Sequence, residues 1–317
     1  MRTEEQVAAA PTWTPAGDGV PDLDGVGIPG LPNTEPPARS QWQLFRRRFL
    51  RHRLAVIGLV VLVALYVLCF GAKWFAPFPK GKQDLLLGPT SPSKEHWFGT
   101  DYLGRDEFTE VLYAGQVSLK IGLTVALIST AVGATVGSIA GYFGKWADQL
   151  LMRITDLFLV VPQIAILAVA LKYFGQKDTV IILVLAGVFW MYMARVVRGQ
   201  VLSIKEKEFV EAARAAGASN RRIILRHLLP NCIGPILVNA TLAIAAAIIT
   251  ESTLSFLGFG IQPPDTSWGN MLSNAEGNYA INSHLLYFPG IAILLTVLCV
   301  NFFGDGLRDA FDPHAKH

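Results

Sequence analysis

Long stretches without a charged side chain constrain this sequence more than any other feature. Four stretches of 19, 24, 23 and 28 residues contain no Asp, Glu, Lys or Arg, and they cover residues 54–72, 121–144, 228–250 and 277–304. The hydrocarbon core of a bilayer is about 30 Å thick and is crossed by roughly 20 apolar residues in an α-helix. The sequence therefore predicts an all-α polytopic membrane protein.

Composition and cysteine usage exclude several other classes of protein. Charged residues make up 16% of the 317-residue chain, against about 25% in ordinary globular domains. The net charge of +3 is too small to indicate a nucleic-acid partner. Cys69, Cys232 and Cys299 lie in or beside apolar stretches without CxxC spacing. We therefore expect buried thiols rather than a disulfide framework or a metal site.

Two shorter uncharged segments add to the four long ones and bring the predicted transmembrane helices to six. We place these helices at residues 54–75, 118–143, 155–172, 179–197, 232–255 and 285–304. Because proline lacks the N–H that an inner helical residue donates, Pro162 is predicted to kink the third helix. Gln163 beside it is a polar side chain of the kind that faces a bundle interior or a cavity, so it is a candidate pathway or gating residue.

The distribution of basic residues predicts that both chain ends lie in the cytoplasm (N-in/C-in). With this orientation, 19 of the 27 Lys and Arg residues fall inside and 8 outside, as expected of cytoplasmic loops. The chain then divides into a disordered Pro/Gly-rich cytoplasmic tail, a basic flank with the first helix, an extracytoplasmic loop, a membrane core and a cytoplasmic C-terminal end. These parts cover residues 1–40, 41–76, 77–117, 118–310 and 311–317.

Two features inside the predicted helices suggest special roles. Gly133, Gly137 and Gly141 form two overlapping GxxxG steps on one face of the second helix. This pattern favours close helix packing, and a substrate path along the same face is the alternative. Glu251 is the sole acidic residue in or near the fifth helix. It is a candidate pathway or gating residue, or else it lies in water at the outer interface.

A charged segment at residues 205–231, between the fourth and fifth helices, carries the most informative pattern. It predicts two short helices about a break at Gly217, a position that suits a left-handed cap residue. Ser219 is expected to cap the second helix and Pro230 to close it. Phe209 and Ala213 share a face of the first helix, and such a face suits docking into a groove of another protein. The alternative is an amphipathic helix lying on the lipid surface.

This segment resembles the EAA loop of bacterial ABC-importer permeases. The resemblance rests on Glu211-Ala212-Ala213, on Gly217 four residues later and on Leu229-Pro230, although His227 stands where the family pattern has an apolar residue. In that family the loop forms a cytoplasmic coupling helix that inserts into a groove of an ATPase. The resemblance therefore implies five coupling residues, namely Phe209, Glu211, Ala212, Ala213 and Gly217.

Two further strings narrow the resemblance to dipeptide/oligopeptide permeases of the DppC/OppC type. They are HWFGTD at residues 96–101 with LGRD at 103–106, and ESTLSFLGFG at 251–260. The resemblance covers about residues 43–313 and implies a six-helix type I permease subunit in the bacterial plasma membrane. Its implied partners are a second permease subunit, two ATP-binding domains, an extracytoplasmic peptide-binding protein and membrane lipid. Within the first of these strings, in the outer loop, we expect Arg105 to bridge Asp101 and Asp106.

The chain carries no motif for ATP hydrolysis. The phosphate-binding pattern GxxxxGK[ST] is absent from the sequence, and no recognisable catalytic set of side chains occurs. The sequence therefore indicates a permease subunit without a cofactor of its own, with ATP and Mg²⁺ bound by a partner ATPase. Three alternatives stay open: the same machinery importing nickel chelates, haem or another small solute, a secondary transporter or channel, and a structural membrane anchor.

Overall fold

The computed structural model of the protein describes residues 41–278 and 281–311. The tail predicted at residues 1–40 lies outside the described residues, as do residues 312–317. The described part is helical, and its only strand-like pairing is an isolated bridge between Thr100 and Asp106. Its α-helices are α1 (Gln41–Arg51), α2 (Arg53–Phe70), α3 (Ala72–Phe75), α4 (Glu107–Phe143), α5 (Lys145–Val160), α6 (Gln163–Phe174), α7 (Asp178–Ile204), α8 (Glu208–Ala215), α9 (Asn220–Ile223), α10 (Leu229–Asn231), α11 (Ile233–Phe256), α12 (Trp268–Ala275) and α13 (His284–Phe311).

Five of these helices are long and apolar enough to cross a bilayer, namely α2, α4, α7, α11 and α13. A sixth span exists only if α5 and α6 together form one, because the two helices meet at an angle of 88°. The single helix predicted at residues 155–172 is therefore wrong, and the kink predicted at Pro162 is a complete break. Val161 before the proline has an extended conformation (φ −80°, ψ 138°), which the proline ring favours in the preceding residue.

Helix α4 begins eleven residues before the predicted start at residue 118. The Asp106 carboxylate accepts a hydrogen bond from the Thr109 N–H at 2.8 Å and caps the helix. Glu107 and Glu110 in its first turns are buried, so charged side chains do not mark the end of this helix. The long uncharged stretch starts only at residue 121, because the charged Lys120 lies within the helix. Lys120 forms an ion pair with Asp178 at 2.7 Å.

The bundle core forms where α4 packs along α7 and α11, with α13 packed against α2 and α11. The GxxxG glycines of α4 face α7. A Cβ atom added at Gly133 would lie 2.6 Å from the Cβ of Met193, and one added at Gly141 would lie 2.9 Å from the Cβ of Val201. Because helices in lipid associate through close packing, the small residues let these two backbones approach. The predicted packing face is thus where α4 meets α7.

Two regions of short helices and connecting loops lie at opposite ends of α4. The first, which we call the cap, consists of residues 76–106 and 257–278, and Lys80 and Asp265 form an ion pair across it at 2.9 Å. The second consists of α8 to α10, and the Tyr142 hydroxyl near the end of α4 donates a hydrogen bond to Asn220 Oδ1 at 2.7 Å. The 37 residues of α4 span about 55 Å at 1.5 Å per residue.

Candidate functional site

The turn after α8 has the geometry that the sequence predicts. Gly217 has φ +78°, in the left-handed region that favours glycine. The Gly217 N–H donates a hydrogen bond to the Arg214 carbonyl at 3.0 Å, and the Ala218 N–H donates to the Ala213 carbonyl at 3.0 Å. The Ser219 hydroxyl accepts a hydrogen bond from the Arg222 N–H at 3.4 Å and caps the second helix.

Pro230 does not close the second helix, and that prediction is wrong. Residues Ile224–Leu228 form a π-helical turn, and the Leu229 N–H donates to the Ile224 carbonyl five residues earlier. The wider turn accommodates a proline that has no N–H to donate. The Asn231 side chain donates to the His227 carbonyl at 2.6 Å. The segment therefore continues into α11 with only a one-residue break at Cys232.

Helix α8 is held against the bundle by Val210, which is fully buried. Its hydrophobic cluster includes Ile223 and Leu228 of the following helices and Val197 and Val201 of α7. Sequence reasoning missed Val210, because its partners lie in separate helices before and after α8 and share no periodicity with it. Burial also raises the pKa of the Cys232 thiol in the same cluster.

Most of the other side chains of α8 and of the turn after it are exposed in the described part of the chain. Phe209 is 40% exposed, Ala213 on the same face is half-buried, and the remaining members of the face are exposed. We call this face the coupling surface, and it consists of Phe209, Glu211, Ala212, Ala213, Ala216 and Gly217. A Cβ atom added at Gly217 would meet no heavy atom within 4 Å. Glu211 forms no ion pair with any described residue. The structure thus brings the five predicted coupling residues together on one open surface.

Two ion pairs tie α5 to α7 near the same end of the molecule. Arg198 binds Asp148 through two guanidinium nitrogens, and Arg195 Nη2 lies 2.5 Å from Asp156 Oδ1. Two-point binding of this kind fixes the orientation of both side chains. Sequence reasoning did not predict these two pairs, although all four residues are charged and lie near the predicted cytoplasmic side.

Gln163 lies in a groove of about 400 Å³ between α4, α6, α7 and α11. The polar groups that share this groove with Gln163 are the side chains of Ser129, Tyr192, Asn239 and Thr250. Glu251, the other candidate pathway residue, does not line the groove. It is fully buried, so its alternative placement in water is wrong.

The Glu251 carboxylate is held by serine hydroxyls from two helices. Ser255 donates to Oε1 at 2.7 Å, and Ser118 of α4 donates to Oε2 at 3.2 Å. The Ser118 hydroxyl also accepts from the Trp268 N–H at 3.2 Å, and the Ser267 hydroxyl lies 3.2 Å from that of Ser255. Glu251 therefore connects α4 and α11 to the start of α12.

In the cap, Arg105 bridges two carboxylates, but Asp106 is not one of them. Its guanidinium lies 2.6 Å from Asp101 Oδ2 and 3.4 Å from Glu110 Oε2. Burial by itself would lower the pKa of Arg105, but the hydrogen bond and attraction from Asp101, together with that from Glu110, raise it. Asp106 instead accepts from Thr109 and lies 2.9 Å from His96 Nδ1.

A bundle of apolar helices with an exposed helical segment at one end has the architecture of a transporter's membrane subunit. The family model "Binding-protein-dependent transport system inner membrane component" matches residues 133–317. A second model, "N-terminal TM domain of oligopeptide transport permease C", matches residues 40–89. The first match contains the whole coupling surface, and the second contains α1 to α3.

Curated relatives match over most of the chain. The oligopeptide transport system permease protein OppC of Mycobacterium tuberculosis is 42% identical over 281 residues, with 87% of this chain and 96% of that protein covered. OppC of Haemophilus influenzae is 41% identical, with 87% and 89% covered. A putative peptide permease protein of Brucella suis is 40% identical, with 92% and 95% covered.

A solved structure shares the fold. A chain of the MetNI methionine ABC transporter, in an inward-facing conformation, aligns with a TM-score of 0.54 at 18% identity and covers 64% of this chain and 96% of its own length. The chain belongs to the family of inner membrane components of binding-protein-dependent ABC transport systems. It is a multi-pass protein of the bacterial plasma membrane, in a family whose members work with a partner permease and ATPase subunits.

Proposed function

We propose that this chain is a permease subunit of an ATP-driven importer of short peptides and forms half of the translocation pathway. The other half is a second permease subunit, and an extracytoplasmic binding protein delivers the cargo. Curated relatives at 40–42% identity carry the names oligopeptide or peptide permease, which supports peptide as cargo. No relative named above supports nickel chelates or haem.

The observation that carries the proposal is the coupling surface. It is open, it is anchored to the bundle by Val210, and the chain runs from it through a π turn into α11. A partner that pushes on Phe209 therefore pushes on a helix that lines the groove containing Gln163. Rigid-body movement of packed helices is a common form of transporter switching. Gln163 is accordingly our candidate pathway residue.

ATP and Mg²⁺ belong to the partner in this proposal. Two cytoplasmic ATP-binding domains dock below the membrane subunits and close upon ATP binding. Their movement reaches α11 through Phe209, Glu211, Ala212, Ala213 and Gly217, and the pathway changes the side to which it opens. The basic flank before α2 keeps the N-terminal end of the chain in the cytoplasm, so the coupling surface faces these domains.

Uptake measurements test the proposal. Cells that express the complete transporter should accumulate a labelled tripeptide, and deletion of this chain should abolish that uptake. Inactivation of the ATP-binding partner should abolish it as well. Uptake that continues without the ATPase would indicate a secondary transporter. Uptake of a nickel chelate or of haem in place of the tripeptide would overturn the proposed cargo.

A further inference from the structure

A cavity of about 610 Å³ in the cap is lined by Tyr102 and Glu107, two side chains whose polar groups have no hydrogen-bond partner among the described residues. Its walls come from the N-terminal turn of α4, from residues 81–105 and from residues 263–275, with Leu285 at the start of α13. Small-molecule sites have volumes of roughly 300–1,000 Å³. The cavity lies at the end of the molecule opposite to the coupling surface, which is the outer end in the proposed orientation.

Glu107 is the first group without a partner. Its side chain lines the cavity and the residue is only 2% exposed. Among the described residues, no donor hydrogen-bonds to its carboxylate and no cation lies within ion-pair distance of it, and only Arg105 attracts it from further away. A buried carboxylate without a partner is strongly disfavoured. Its place in the first turn of α4 offsets part of this cost, because a helix N-terminus favours negative charge.

The nearby Arg105 does not serve as a partner for Glu107, because Asp101 and Glu110 already share its guanidinium group. Asp101 accepts from the backbone N–H groups of Leu103 and Arg105 at 2.9 Å and from the Arg105 side chain. Glu110 accepts from the Gly81 N–H at 3.2 Å and faces the same guanidinium. Three carboxyl groups therefore share the attraction of one arginine. Burial, together with repulsion from Asp101 and Glu110, raises the pKa of Glu107 well above its usual value, and a cation beside it would favour its ionised form.

Tyr102 is a second, independent group without a partner. Its hydroxyl is buried and has no hydrogen-bond partner in the part of the chain that the structure describes, and the residue lines the same cavity. A phenolic oxygen accepts a hydrogen bond as readily as it donates one. An N–H donor that reaches this hydroxyl would satisfy it.

We propose that this cavity binds the amino-terminal ammonium group of a short peptide, with Glu107 as its ion-pair partner and Tyr102 as a further acceptor. This inference rests on the proposed function and names the feature of the cargo that the permease recognises. An ammonium group brings three N–H donors and a positive charge. A metal ion fits less well, because no group of three or more metal-ligating side chains occurs in the described part of the chain.

The remaining walls suit the rest of a peptide better than a lone basic side chain from a partner protein. Asn274 lines one wall. Its amide nitrogen donates to Asn270 Oδ1 at 3.3 Å, and its side-chain oxygen can accept from a peptide N–H. Pro263, Met271 and Leu285 form an apolar wall for a side chain of variable shape. The cavity is also larger than one lysine or arginine side chain needs.

Photolabelling of the complete transporter, purified in lipid nanodiscs without binding protein, tests this inference. The probes are a photoreactive tripeptide with a free amino terminus and its N-acetylated counterpart. The free-amino probe should label this chain about tenfold more strongly at equal concentration, which corresponds to one charged hydrogen-bonded contact. Glu107→Gln should reduce its labelling to the level of the acetylated probe. Tyr102→Phe should reduce it less.

Controls separate a binding effect from misfolding. Glu95→Gln removes an exposed carboxylate of the same cap that does not line this cavity, and it should leave labelling unchanged. Glu107→Gln should keep or raise the Tm of the complex, because the amide keeps the shape of the side chain and removes a buried acid to which no described residue donates a hydrogen bond. A lowered Tm would overturn the premise that this carboxyl group lacks a partner.

Three results would overturn the inference. Equal labelling by the two probes would show that the ammonium group is not recognised, and undiminished labelling of Glu107→Gln would show that this carboxylate does not bind it. If Glu107→Gln loses docking of the binding protein while its probe labelling is unchanged, Glu107 binds a basic side chain of that protein and not the peptide. Tripeptide uptake is measured in parallel in intact cells that express the same complex together with its binding protein. If the cells take up tripeptide but the two probes label equally, only this inference is contradicted. If the free-amino probe labels more strongly but no tripeptide is taken up, the proposed function is contradicted.

Discussion

Glu251 is an acidic side chain in a membrane helix whose hydrogen-bonding partners all lie within the chain. The Ser255 and Ser118 hydroxyls donate to it directly, and through Ser118 it reaches the backbone of Trp268. A carboxylate saturated in this way is a connection between helices rather than a group available to substrate. The hydroxyl partners of Glu251 come from separate parts of the chain, so the sequence did not predict them. Only Glu251 itself could be singled out, as an acidic residue in an apolar helix.

Removal of this carboxylate should destabilise the fold. Glu251→Ala leaves the two hydroxyls in the interior without their acceptor, at a cost of about 1–3 kcal/mol. The Tm of the purified permease should therefore fall, while Glu251→Gln, which keeps an acceptor oxygen, should lose less. Glu95→Ala at an exposed site serves as the control. An unchanged Tm for Glu251→Ala would contradict the role assigned to this cluster.

The helices differ in how far their sequences predict them. The predicted starts of α2, α7, α11 and α13 agree with the structure to within one residue, because charge is excluded from lipid. The predicted ends are less accurate, since α2 ends five residues earlier than predicted and α7 and α13 each end seven residues later. Helix α4 begins earlier than predicted because its first turns are buried by the cap rather than by lipid. The bend at Pro162 and the path through Pro230 depend on local hydrogen bonding, which the pattern of charges does not contain.

The functional residues, like the helices, differ in how far the sequence predicts them. Gly217 could be predicted because a left-handed turn between two short helices requires glycine almost regardless of context. Val210 and the cavity around Glu107 could not, because each depends on residues that the fold brings together from distant parts of the chain. A local conformational demand is visible in the sequence, whereas a contact between separate elements is not.

The contact between α4 and α7 gives a prediction at the scale of helices. A Cβ at Gly137 would collide with the backbone of Ala194 and Arg198, so Gly137→Ala should force the helices apart and cost about 1–3 kcal/mol. Gly187→Ala in α7 is a matched control, because no heavy atom lies within 4 Å of its added Cβ. Its effect should be neutral or slightly stabilising. Thermal unfolding of both variants decides the point, and equal Tm values would contradict tight packing at Gly137.

The whole molecule places two different surfaces at the two ends of α4. The cap holds the cavity around Glu107, and the other end holds the coupling surface, about 55 Å away along the helix. Such a separation suits a subunit that meets its cargo on one side of the membrane and its source of energy on the other. Movement between the ends depends on helices that shift as rigid units, because their contacts are close-packed along most of their length.

Accessibility to an impermeant thiol reagent tests the orientation of the molecule. In a background without Cys69, Cys232 and Cys299, which are buried, single cysteines replace exposed residues. Ser91→Cys and Asn274→Cys in the cap should react in intact cells, and Glu206→Cys before α8 should react only after the membrane is opened. Both expectations follow from the excess of Lys and Arg at the coupling end. Labelling of Glu206→Cys in sealed cells would reverse the topology.

The measurement that tests the central claim compares Gly217→Val with Gly88→Val. Both glycines are left-handed, with φ +78° and +59°, and both have open space around an added Cβ. A valine therefore costs about 1–2 kcal/mol of backbone strain at either site, but only Gly217 lies on the coupling surface.

Each variant is purified with its partner ATPase, and tripeptide uptake is measured in parallel. Gly217→Val should insert and pair with the second permease subunit yet lose ATPase co-purification and uptake, while Gly88→Val keeps both. Wild-type levels of both in Gly217→Val would contradict the assignment of α8 as the element that couples this permease to ATP.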